Sequence, residues 1–200
     1  MTGASPGDLT LQTYAAAAAR YRKTSALGPA IRAFLDLVAA TAPPAARVLE
    51  LGSGPGNGAR YLETRGLNVT RTDATRAFVE MMRADGFAAA LLDIRTGSFG
   101  GPFEVVLADA VLLHLSRAEF TAALRKARAA ATPDGLLAIT LKDGDGQQWR
   151  SDKLDLPRHF TYWREPALRI ELELAGWTPI RIDAVAGRVE PWLYALSRAH

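Results

Sequence analysis

An apolar run, Val48-Leu49-Glu50-Leu51, opens directly into Gly52-Ser53-Gly54-Pro55-Gly56-Asn57-Gly58. A short strand that feeds a glycine-rich turn and restarts as a helix is the opening unit of a doubly wound α/β sheet. The glycines adopt torsions closed to other residues and let backbone approach a ligand. From Arg47 onward, short apolar runs alternate with helical periodicity, the pattern of a parallel sheet. The pattern predicts strands over 48–51, 67–72, 88–92, 103–108 and 136–141. Helices are expected over 57–65, after Thr75 as a cap, and over 116–131, where Ser116 and Glu119 form a capping-box signature. Pro133-Asp134-Gly135 reads as the turn before the fifth strand. Residues 143–157 read as a hydrophilic loop or lid, and 165–175 as a helix closed by Gly176. Two closing strands, 178–185 and 190–197, are joined by a link short enough to make them antiparallel.

The chain has 200 residues, 48% of them hydrophobic, which suits one domain with a single sizeable core. The expected layout is a flexible tail over 1–10, a helical cap over 11–42 and the α/β core over 46–200. There is no cysteine, so disulfides, zinc-thiolate sites and thiol chemistry are excluded. The net charge of +3 comes from scattered arginines rather than a basic block, which argues against a nucleic acid partner. No apolar run reaches the roughly 18 residues of a membrane span. The N-terminus lacks a secretory pattern, so a cytoplasmic protein is expected. Asp143-Gly144-Asp145-Gly146 fails the calcium-loop pattern, because Gln148 and Leu154 fall where a glycine and an acid are needed. No metal site is expected.

The glycine loop competes with the dinucleotide fingerprint. Gly52 and Gly54 fit the first two glycines of that motif, but Asn57 takes the third, which disfavours NAD. Two acids sharpen the reading. Asp73 ends the second strand about 20 residues on, where a carboxylate can accept both hydroxyls of a ribose. Asp93 ends the third strand, where a carboxylate can accept from an adenine amine. Either aspartate alone reads equally well as a turn cap.

Taken with Leu107-Ala108-Asp109-Ala110-Val111-Leu112-Leu113-His114-Leu115, Pro133 to Leu137, Leu141 to Gly146 and His159-Phe160-Thr161-Tyr162-Trp163, these segments resemble the class I S-adenosylmethionine-dependent methyltransferases. The resemblance is to small bacterial members, including those of the tellurite-resistance-like kind, and it runs from Tyr14 onward. One departure is His159, where a tyrosine is expected in such relatives. The resemblance implies a Rossmann-like seven-stranded sheet in the order 3-2-1-4-5-7-6, strand 7 antiparallel, with helices on both faces. It implies S-adenosylmethionine as cofactor. Glu50 would organise the loop and the methionine amino group, and Gly52, Ser53, Gly54 and Gly56 would wrap the methionine portion. Asp73, with Ala74 beside it, would hold the ribose, and Asp93 and Ile94 would frame the adenine. Asp109 or Ala110 would contact the cofactor after the fourth strand. Tyr14 and Tyr21 would close over it, or simply pack the helix.

A base is needed only if the accepting atom carries a proton, and His114, His159, Tyr162 and Asp109 are the candidates. His114 lies between leucines, a context that favours a structural histidine. Chain segments typical of amino-methylating DNA enzymes are missing, and cysteine-based mechanisms are excluded. A small-molecule acceptor remains, methylated at oxygen, nitrogen or a soft chalcogen, by a monomer or homodimer. The alternatives are a catalytically silent cofactor-binding module and an RNA or protein methyltransferase.

Overall fold

The computed structural model describes residues 4–200. Helix α1 (Pro6–Thr24) and helix α2 (Pro29–Thr41) precede strand β1 (Arg47–Leu51). Helix α3 (Asn57–Glu63), β2 (Asn68–Asp73), α4 (Arg76–Ala84) and β3 (Ala89–Leu91) follow. Then come β4 (Phe103–Asp109), a short 3-10 turn at Leu112–His114, and α5 (Arg117–Ala130). The chain closes with β5 (Ala131–Lys142), β6 (Gln147–Arg150), β7 (Arg158–Thr161), α6 (Glu165–Leu174), β8 (Trp177–Val185) and β9 (Trp192–Ala199).

Seven strands form one sheet in the order β3-β2-β1-β4-β5-β9-β8, and only β9 runs antiparallel to its neighbours. Counting the main-sheet strands alone, this is the 3-2-1-4-5-7-6 order. Both faces are covered, which is why the central strands read as unbroken apolar runs rather than alternating ones. In β4, Val105 and Leu107 face one side, where α2 and α3 pack with Phe34, Leu35, Val38 and Leu62. Val106 and Ala108 face the other, against Phe120, Leu124 and Leu168 of α5 and α6. The 3.6-residue period of each helix and the two-residue period of each strand meet in these two layers.

Several expectations change. The tail ends early: α1 starts at Pro6, capped by Ser5, whose hydroxyl accepts from Asp8 N while the Asp8 carboxylate accepts from Ser5 N. Proline in the first turn and this capping box start a helix without any apolar periodicity to announce it. Residues 1–3 of the expected tail lie outside the described residues. α2 is not part of a cap, because its apolar stripe is buried on the sheet; α1 alone crosses the site. Thr75 occupies the cap position of α4, yet its side chain makes no capping bond. Pro133-Asp134-Gly135 lies inside β5 as a bulge, with Asp134 at φ 59°. The expected lid contains a strand: β6 pairs antiparallel with β7 in a separate two-stranded sheet. Trp149 of β6 packs edge-on against His159 of β7, with ring centroids 5.2 Å apart.

Phe120 is fully buried, its ring 4.3 Å from that of Trp163. Phe120→Ala is expected to lower stability by about 3–5 kcal/mol in a denaturant melt, the scale for emptying an aromatic site in a packed core.

Candidate active site

The crevice opens at the carboxyl ends of β1, β2 and β4, where the strand order reverses direction around β1. Gly52 and Gly54 carry φ of 67° and 53°. A Cβ on Gly52 would sit 2.5 Å from Cγ2 of Val111, so strand β1 and the turn after β4 touch through a missing side chain. The loop is cross-braced to β2. Ser53 N donates to Thr72 O at 2.8 Å, and Thr72 N to Ser53 Oγ at 3.2 Å. Gly54 N donates to Asp73 Oδ2 at 2.8 Å, and Thr75 N to Asp73 Oδ1 at 2.7 Å. Each carboxylate oxygen has two lone pairs, so Asp73 keeps acceptor capacity toward the crevice it lines.

Asp73 and Asp109 line this space, and a third acid, Glu50, stands just outside it. Burial pushes the Asp73 carboxyl above the usual range, against the pull of its two backbone donors. Burial does the same to Asp109, although Thr140 Oγ1 donates to it at 2.5 Å. Glu50 lies behind the glycine loop; its Oε1 fills the space a Cβ on Gly58 would need, and its Oε2 is buried without a partner. Burial raises its carboxyl to about 7. Ala110 follows Asp109 at φ 52°, held by its N–H donating to Thr140 Oγ1 at 2.8 Å. Ala74 and Ile94 complete the wall, whereas Ser53 and Gly56, also expected around the methionine portion, do not line it.

Asp93 also reaches the crevice, but Arg95 takes its carboxylate at 2.7 Å and 3.1 Å. Arg95 continues to Asp8 at 2.8 Å, on the first turn of α1. The acid expected to meet an adenine amine therefore ties the cap helix to the sheet edge. The capping box at Ser5 was the one sequence signal for that link.

Tyr14 and Tyr21 lie two turns apart on the face of α1 that covers the crevice, their rings edge-to-face at 5.4 Å. Tyr14 Oη is 2.9 Å from His114 Nε2, and His114 Nδ1 is 2.7 Å from the carbonyl of His159. A carbonyl only accepts, so Nδ1 carries the proton and Nε2 accepts from the tyrosine hydroxyl. Burial, and the charges of Arg158 and Lys142, press the imidazole down to about 3, so it stays neutral.

His114, Tyr14, Tyr21 and Ala110 also face a second cavity of about 490 Å3. Lys142, Lys153, Arg158, Phe160, Glu190 and Trp192 lie on its far wall, none of them singled out by the sequence for their chemistry. Two expected catalytic side chains are not on either wall. The His159 ring turns toward Trp149 and contributes only its backbone carbonyl. Tyr162 is behind Glu190, donating to Oε2 at 2.7 Å. Strand alternation explains the first; Tyr162 lies just past β7 and is held by its hydroxyl on Glu190. His159 and Thr161 point to one face of β7, whereas Arg158 and Phe160 point to the cavity.

A doubly wound sheet with a glycine loop, strand-end acids and a crevice at its carboxyl edge defines a Rossmann-like α/β fold. Residues 19–182 match the family model described as "Methyltransferase domain". That is most of the chain, and the chain belongs to the methyltransferase domain family. Among solved structures, it is similar to 1,6-didemethyltoxoflavin-N1-methyltransferase of Burkholderia thailandensis, with bound 1,6-didemethyltoxoflavin and S-adenosylhomocysteine. The identity is 19% and the TM-score 0.80, covering 100% of this chain and 92% of that one. It is similar to magnesium protoporphyrin IX methyltransferase of Synechocystis PCC 6803 with bound SAM, at 14% identity, TM-score 0.78 and 100% of both chains. A TehB-like SAM-dependent methyltransferase from Corynebacterium glutamicum matches at 20% identity and TM-score 0.69, over 95% of this chain and 98% of that one. A search of the sequence against curated proteins finds no match.

Asp73→Ala removes the acceptor for two backbone donors and a crevice carboxylate together. It is expected to weaken S-adenosylhomocysteine binding by about 1–3 kcal/mol in calorimetry and to lower the melting temperature as well. Normal binding would leave Asp73 as a turn residue only.

Proposed function

We propose that this methyltransferase uses S-adenosylmethionine and passes its methyl group to a small-molecule acceptor held in the second cavity. The observation that carries the reading is the charge of the first crevice. Asp73 and Asp109 line it and Glu50 lies behind its glycine loop; burial raises all three carboxyls, so a bound cation would favour their ionised forms. Such a site favours a cation and disfavours the pyrophosphate of a dinucleotide. S-adenosylmethionine carries a sulfonium and an α-ammonium, and its sulfonium would supply the methyl group. In this reading Gly52 and Gly54 cradle the methionine portion, with Glu50 behind them. Asp73 holds the ribose, and Ala74 and Ile94 flank the adenine.

The residues between the two cavities do three jobs. Tyr14 and Tyr21 lay their rings over the junction and exclude water from it. His114, fixed as the Nδ1–H tautomer by the His159 carbonyl, holds the Tyr14 hydroxyl in one orientation. Ala110 contributes little bulk, so the acceptor can approach closely; positioning of this kind supplies much of the barrier reduction in a displacement reaction. A neutral imidazole pushed down to about 3 is a weak base, so the chain favours an acceptor that needs little deprotonation. No described helix is long and apolar enough to cross a membrane. A monomer or homodimer working in the cytoplasm fits this reading.

Calorimetry is expected to show S-adenosylmethionine and S-adenosylhomocysteine binding, with no heat from NAD. Tight NAD binding beside silent S-adenosylhomocysteine would sink the assignment. Binding should also follow Glu50. Its carboxyl is protonated below about 7 and ionised above, and the ionised form favours a ligand ammonium. Affinity for S-adenosylhomocysteine is therefore expected to rise between pH 6 and 8, and Glu50→Gln to flatten that rise. Once an acceptor is in hand, Tyr14→Phe should lower kcat while leaving the cofactor Kd within about tenfold. With cofactor saturating, so that Glu50 does not enter, the kcat profile should show no limb near the ordinary imidazole value of about 6.5.

A further inference from the structure

The two cavities that meet at Tyr14 and His114 have opposite electrostatic character. The far wall of the second one carries Lys142, Lys153, Arg158 and, at its mouth, the exposed Arg188. Two carboxylates share that wall, and both are already engaged. Glu190 takes Lys142 Nζ, Arg150 Nη1 at 2.7 Å and the Tyr162 hydroxyl. Asp152 takes Arg150 Nε at 3.0 Å. Lys142 is thereby matched, but Arg158 is not. It is 5% exposed and forms no salt bridge among the described residues. Its one side-chain hydrogen bond is from Nη1 to the Tyr14 hydroxyl, long at 3.5 Å, and its Nε is buried with no partner. Lys153 likewise has no carboxylate partner among the described residues; its ammonium lies 4.3 Å from the centre of the Tyr21 ring.

A buried guanidinium without an anion is costly, and that cost falls when a carboxylate arrives, because the planar fork can donate to both of its oxygens. The rings of Tyr14, Phe160 and Trp192 line the same space, offering flat apolar surface beside the cations. The Arg158 guanidinium is itself 5.0 Å from the Phe160 ring centre, which holds it on the cavity wall. From this we propose that the acceptor is a small planar acid, its carboxylate received by Arg158 and Lys153 and its ring lying against the aromatic wall. The proposal rests on the methyltransferase reading above for the word acceptor. The anion site itself rests only on this cavity.

The test is binding to the protein loaded with S-adenosylhomocysteine. Benzoate, 4-hydroxybenzoate and indole-3-carboxylate are titrated by calorimetry or ligand-observed NMR, each beside its own primary amide. The amide keeps the shape and removes the charge. At least one acid should bind at least tenfold more tightly than its amide. Arg158→Gln should bring that ratio to within about threefold of unity, with the S-adenosylhomocysteine Kd unchanged within about threefold. Should Arg158→Gln fail to fold, the exposed Lys153→Met is read instead and should cut the preference at least threefold. The proposal is overturned if no acid outbinds its amide, or if the preference survives in every folded variant. Failure of the cofactor reading looks different: the acid preference would persist on protein that does not respond to S-adenosylhomocysteine.

Discussion

Asp73 accepts one backbone N–H on each carboxylate oxygen, from Gly54 in the glycine loop and from Thr75 at the start of α4. Those two bonds join consecutive βα units at the sheet edge, and the shape of the crevice follows from them. The glycine loop cannot be held this close by its own sequence, because left-handed torsions at Gly52, Gly54 and Gly56 are individually cheap and collectively floppy. A buried carboxylate that satisfies two otherwise orphaned donors removes that freedom. It also leaves the acid desolvated, so the element that orders the loop is also part of the negative lining of the crevice. Structure and electrostatics are set by the same group.

The second organising feature is the seam at Tyr14 and His114. On one side lie Asp73 and Asp109; on the other lie Arg158, Lys142 and Lys153. Opposite charge on either side of a shared neutral wall sorts ligands by sign before any specific contact is made. A cationic donor and an anionic acceptor would each be repelled by the wrong cavity. The neutrality of His114 is part of this arrangement. A charged imidazole there would blur the boundary, and burial beside Arg158 and Lys142 prevents it.

The cap is attached differently from the rest of the fold. α2 is buried along an apolar stripe, whereas the buried face of α1 is Thr10, Thr13, Ala17 and Ala18. Thr10 accepts from His159 N at 3.0 Å, Thr13 donates to the Pro157 carbonyl at 2.7 Å, and Arg95 holds the first turn through Asp8. α1 is thus held by hydrogen bonds and an ion pair, together with the Tyr14 and Tyr21 rings packed on Phe78. The absence of an apolar stripe is also why its first turn read as tail.

What was legible in the sequence is what depends on neighbours along the chain. The glycine loop, the strand-end positions of Asp73 and Asp93, the capping box of α5 and the antiparallel final pair are all local patterns. Each is decided by torsional preference or by periodicity over a few residues. The same locality explains the misses. His159 and Tyr162 come from one aromatic stretch, but the two-residue alternation of β7 turns His159 away from the cavity that Arg158 and Phe160 line, and Tyr162, just past the strand, bonds to Glu190. That strand directly follows the segment read as a loop, 143–157, and no element is expected over it, so no face could be assigned. Asp93 sits where expected, yet its partner is Arg95 and, through it, α1. Thus the chain alone determined the α/β class, the order of the sheet through its family resemblance, and the residues at the strand ends. Only the tertiary structure decided which acids stay free for a ligand, which histidine meets Tyr14, and that Arg158 stands unpaired beside them. Those outcomes depend on burial and on contacts between residues about a hundred positions or more apart, such as Tyr14 with His114 and with Arg158, and no local pattern encodes them.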